Sequence, residues 1–97
     1  MVQITIGTTA VQAAPRNSKR LGITFFNKSA GGQVIDLTKY GTQGLTTGNS
    51  EYSLGVGSGL TFLLAFDGPE IRGDWGAISS AAGGVLVVGE TAQLDEV

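Results

Sequence analysis

The chain has 97 residues, with six Lys and Arg against eight Asp and Glu, and it contains neither histidine nor cysteine. The side chain that titrates nearest neutrality, the readiest nucleophile and the favoured ligands of zinc are therefore all missing, as are disulfides. A net charge of −2 argues against a general nucleic-acid binder, and charged residues make up only 14 % of the chain, against about a quarter in ordinary soluble domains. Shape and surface are left as its business, and a surface so weakly charged costs little to desolvate.

The length predicts one domain spanning residues 1–97, with a thin core and an acidic tail over 90–97. In chain order, Val2, Ile4 and Ile6 alternate with Gln3 and Thr5, as in a half-buried strand. Val11 and Ala13 continue that strand until Pro15 breaks it. Leu21, Ile23 and Phe25 share the face of a second strand, and Asn27 to Gly32 is a turn by composition. Ile35 and Leu37 mark a short strand, followed by a polar loop from Thr38 to Asn49 around Tyr40 and Leu45. Tyr52, Leu54 and Val56 alternate again before the glycines of Gly55–Gly59, which read as a hairpin rather than a phosphate loop. Leu60, Phe62, Leu64 and Phe66 form the strongest alternation, and Leu63 and Ala65 opposite them predict a strand buried on both faces. Asp67-Gly68-Pro69 ends it. Trp75–Ser79 and Val85–Val88 are the last strands, joined by Gly83-Gly84, and no window offers a helix of useful length. About seven short strands with frequent turns predict an all-β fold, a small antiparallel β-sandwich or a barrel-like relative of one.

Few side chains invite chemistry. Asp67, Glu70 and Asp74 gather carboxylates in one segment, but their spacing matches no calcium loop, and a solvated acidic turn is the simpler reading. Arg72-Gly73-Asp74 is a tripeptide that some integrins read, and it is also what an exposed turn contains. Asn27-Lys28-Ser29 is a glycosylation sequon without a secretory signal before it. The longest uncharged apolar run, Leu60 to Phe66, is far short of the ~20 residues that span a bilayer, so no membrane partner is expected. No motif implies a catalytic residue, a cofactor or a metal. Arg16-Asn17-Ser18-Lys19-Arg20 holds half of the Lys and Arg, and is either a solubilising loop or a contact with acidic groups on a partner. Arg16, Lys19, Arg20 and Tyr40 are accordingly the candidate contact residues. Trp75 is expected in the core; exposed together with Tyr40 and Tyr52, it would instead suggest a carbohydrate- or receptor-binding tip.

The order of segments resembles a known family. Ile4-Thr5-Ile6-Gly7-Thr8-Thr9-Ala10-Val11, the Pro15–Arg20 loop and Leu21-Gly22-Ile23-Thr24-Phe25-Phe26-Asn27-Lys28-Ser29 are similar to the small β-sandwich modules of tailed-bacteriophage virions. So are Trp75-Gly76-Ala77-Ile78, the Gly-Gly turn and the closing Val-rich strand with Glu90. The Thr38–Asn49 loop and the Asp67–Asp74 segment are longer than that pattern. The resemblance implies a non-enzymatic capsid decoration or cement protein, a trimer on the major capsid protein at the virion surface, made in the host cytoplasm. A head-fibre or tail accessory module is the alternative that it leaves open.

Overall fold

Eight strands build the molecule in the computed structural model, which describes residues 2–93: β1 Val2–Ile6, β2 Val11–Ala14, β3 Arg20–Asn27, β4 Ile35–Thr38, β5 Tyr52–Leu54, β6 Gly59–Leu63, β7 Trp75–Ser79 and β8 Gly84–Ala92. They pair antiparallel in two four-stranded sheets, ordered β1-β8-β3-β6 and β2-β7-β4-β5. The period of two places Ile6, Ile23, Phe25, Leu86 and Val88 on the inner face of the first sheet, against Ile35, Leu37, Leu54, Trp75 and Ala77 of the second. This is the expected sandwich. Trp75 is fully buried and its ring lies 4.8 Å from Phe25 and 5.1 Å from Phe62. Tyr52 of β5 closes one seam of the sandwich, 4.9 Å from Phe62 of β6.

Four expectations need correction. Val11 and Ala13 do not continue β1: after Gly7–Ala10 the chain changes sheets, and β2 pairs with β7. The apolar run Leu60–Phe66 stops being a strand at Leu63. Residues Leu64–Asp67 wind into one helical turn, α1, because the Asp67 carboxylate accepts the Leu63 amide at 2.8 Å and Gly68 turns the backbone at φ 86°. Leu63 and Ala65 are exposed and Phe66 is 84 % exposed, so this segment is not buried on both faces. Val56 lies outside β5, exposed in the glycine turn. At the other end, β8 runs on to Ala92, with Glu90 opposite Ile23 and Thr91 opposite Gly22. The first residues of the predicted tail are therefore sheet, and 94–97 lie outside the described residues.

The long loop after β4 is fastened rather than loose. The Gly41 amide donates to the Asp74 carbonyl at 2.7 Å, and Leu45 is buried. Gly76 in β7 makes this approach possible: a Cβ there would overlap the Gly41 carbonyl oxygen and sit 2.8 Å from its carbon.

Candidate functional site

The Pro15–Arg20 segment and the Asp67–Asp74 segment, distant in sequence, fold against each other at one end of the sandwich, and Arg20 joins them. Its guanidinium is fully buried. One terminal nitrogen donates to the Ile71 carbonyl at 2.6 Å and to the Gly73 carbonyl at 2.9 Å, and the other donates to the Pro15 carbonyl at 2.7 Å. The guanidinium is also ion-paired with Glu90 of β8. A planar fork of five donors suits this task, because it saturates several fixed acceptors at once. Arg72 returns the connection: its Nε donates to the Arg20 carbonyl at 2.9 Å, and its own carbonyl accepts the Asn17 amide at 2.9 Å. Residues Pro69–Arg72 form a 3-10 turn on this frame, and the Trp75 indole N–H donates to the Ile71 carbonyl at 2.9 Å.

On the frame sits a pocket of about 240 Å³ lined by Arg16, Lys39, Tyr40, Pro69, Glu70, Arg72 and Gly73. Three of the chain's six Lys and Arg meet there. The Arg16 side chain is exposed and makes no hydrogen bond or ion pair among the described residues. Tyr40, 70 % exposed, forms part of the wall, with the Lys39 ammonium 5.8 Å from its ring centre. Burial works against the Lys39 ammonium, but its hydrogen bond to the Tyr52 hydroxyl and the Glu51 carboxylate 3.7 Å away outweigh that and raise its pKa above 10.5. Lys39 stays charged at any physiological pH. Two arginines, a lysine and a phenol around one opening suit a carboxylate on a partner, which the guanidinium of Arg16 can take in a forked pair.

The candidate contact residues therefore divide. Arg16 and Tyr40 come together at the pocket. Arg20 does not: its donors are spent inside the molecule, and its role there is structural. Lys19 is not among the pocket-lining residues; its carbonyl accepts the Gln93 amide at 2.7 Å. Lys39 belongs to the site although the sequence reading passed over it, and so does Arg72, which that reading took only as part of the Arg-Gly-Asp tripeptide. Lys39 adjoins Tyr40 in sequence, but nothing local to Arg72 places it beside Arg16.

The acidic residues are dispersed in role. Asp67 caps the Leu63 amide, Glu70 lines the basic pocket and Asp74 accepts the Gln12 side-chain amide at 2.8 Å. Among the described residues, no group of three His, Cys, Asp or Glu side chains is placed to hold a metal. Arg72 and Asp74 are both anchored, so the Arg-Gly-Asp tripeptide is no free loop. Of the three aromatics a carbohydrate tip requires, Trp75 is buried, Tyr52 is half-buried and only Tyr40 is open.

A second surface is the outer face of the first sheet. The register places Gln3, Val87, Phe26 and Gly59 in one row across the four strands, and Gly89, Thr24 and Thr61 in another. Thr5, Val85, Gly22, Thr91 and Leu63 complete the face, and none of its strand positions is charged. The Thr24 and Thr61 hydroxyls bond each other at 3.0 Å, while Phe26 and Leu63 remain exposed. No protein-family model matches this sequence, and neither a curated protein nor a solved structure matches it.

Proposed function

We propose that this chain is a non-enzymatic structural protein of a tailed-phage virion, a capsid decoration or cement protein that binds the surface of the assembled shell. The observation that carries the reading is the uncharged outer face of the first sheet. A four-stranded surface of threonine, glycine, valine and exposed Phe26 and Leu63 surrenders little hydration when covered, so it suits contact with another protein. The pocket at the end of the sandwich supplies direction, since the exposed Arg16, beside Lys39 and Arg72, can take a carboxylate on the partner and fix the register of docking. The partner in this reading is the major capsid protein, met by a homo-oligomer of this chain. The resemblance in segment order described above is what supports a phage virion in particular.

The mechanism is passive. A protein that binds the finished lattice and not its separated subunits stabilises the lattice by mass action, and many copies multiply a modest free energy per site. The carbohydrate- or receptor-binding alternative retains only Tyr40 as an open aromatic of the three it needs. The test mixes purified protein with expanded capsids that lack it and with unexpanded procapsids, and sediments both. Retention on the expanded shell, weakened by added salt and by Arg16→Glu with Lys39→Glu, is the expected result. Retention on neither particle overturns the reading.

A further inference from the structure

We infer that the free edge of β1 is a self-association site, at which a second copy of this chain adds its own β1 across a two-fold axis. Strand β1 stands at one edge of the first sheet and β2 at one edge of the second. The opposite seam, β6 over β5, is closed by the Tyr52 and Phe62 rings. Among the described residues, the β1 seam has no such aromatic closure. An open cleft of about 420 Å³ runs along it, with Val2, Ile4, Ala13, Pro15 and Val88 among its lining residues, and Val2 is 60 % exposed.

Natural sheets guard their edges with charge, proline or bulges, because an unguarded row of N–H and C=O groups recruits further strands. Strand β6, the other edge of this sheet, has the Asp67 carboxylate on the amide of Leu63 and α1 directly after it. Strand β1, Val-Gln-Ile-Thr-Ile, carries no charge, no proline and no glycine. A second copy is the occupant that the edge itself favours. Two-fold self-pairing sets each residue opposite the one equally far beyond the axis, so a charge on the strand without an opposite charge at the mirrored position would be covered unbalanced. Here there is none.

The pattern is also symmetric about Ile4. Antiparallel self-pairing centred there puts Gln3 opposite the partner's Thr5 on the outer face and Val2 opposite the partner's Ile6 on the inner face. Each copy then lays an exposed valine toward the other's open seam, and the two sheets join into one of eight strands. Centring the pair between residues would set apolar side chains against polar ones. Centring on Ile4 pairs all five residues of the strand, whereas centring on Gln3 or Thr5 pairs only three, so the edge favours this register. Its order is two, whereas the phage-module resemblance implies three, and the inference stands apart from shell binding. Tight dimers bury about 800 Å² per partner, which a five-residue strand pair does not reach, so the dimer is reversible and concentration-dependent.

Sedimentation velocity over a wide concentration range tests this, together with two variants. The wild type should pass from monomer to dimer, and Val2→Lys, which places a charge at an already exposed edge position, should weaken the dimer at least ~tenfold. The chain has no cysteine, so Ile4→Cys offers one thiol per copy, which meets its symmetry mate within disulfide range at the two-fold axis. Oxidation should trap a covalent dimer, whereas Val56→Cys, exposed in a distant turn, should not give one. A chain that stays monomeric at every concentration overturns the inference and leaves the edge to a strand from some other protein. So does a trimer, or any oligomer that Val2→Lys leaves unchanged and Ile4→Cys fails to trap.

Discussion

Arg20→Ala removes a guanidinium that satisfies three backbone carbonyls and pairs with Glu90. The losses are unequal. Ile71 keeps a donor, because the Trp75 indole also bonds its carbonyl, and the Glu90 side chain, 32 % exposed, recovers some hydration. The Pro15 and Gly73 carbonyls are left with nothing in their place. Both acceptors are part-buried, so each costs toward the lower end of about 1–3 kcal/mol, and removing one member of a buried charged network costs about 3–5 kcal/mol in total. In a domain of this length, about 1 kcal/mol shifts the melting temperature by roughly 4–8 °C, so a fall of roughly 15–30 °C is expected. Arg20→Met keeps most of the stem's packing and should lose nearly as much, since the hydrogen bonds are the larger part. Urea unfolding followed by Trp75 fluorescence measures both. A loss below about 1 kcal/mol for Arg20→Ala would refute the reasoning, because it would mean that water replaces the guanidinium and that the connection between the two segments does not depend on it.

Gly76→Ala should destabilise by about 2 kcal/mol or more, since the added methyl meets the Gly41 carbonyl and forces two backbones apart. The same unfolding assay checks it, and proteolysis within Thr38–Asn49 should accelerate in parallel. Lys39 has its pKa raised above 10.5 in the folded chain, so its stabilising contribution is complete below that value and is lost as the pH climbs through the folded pKa. The stability difference between wild type and Lys39→Met should therefore be constant from neutral pH to about 10.5 and shrink above it, as read by urea titrations at each pH.

The strands were legible where the period of two is local. Val2–Ile6 and Arg20–Asn27 announce themselves because neighbouring residues alternate, and that alternation survives in the register of the first sheet. The helical turn α1 was hidden because Leu64 and Phe66 keep the alternation in chemistry while a later residue, Asp67, ends the strand in geometry. The switch of β2 to the second sheet is a long-range fact that Gly7–Ala10 does not encode in any local pattern. At the site, Tyr40 was legible as an aromatic in a polar loop, and Arg16 as part of a dense basic run. Arg20 belongs to the same run and differs only in where its acceptors lie, 51 and 53 residues further along the chain. Residue type alone places an arginine at the surface, and only the tertiary arrangement brings one inside.

The temperature at which expanded capsids burst, measured with and without this protein, tests most directly the claim that it works by contact with an assembled lattice. The burst temperature should rise with added protein, level off once the lattice sites are filled and rise less with the Arg16→Glu, Lys39→Glu variant. A burst temperature that does not move at saturating protein contradicts the account.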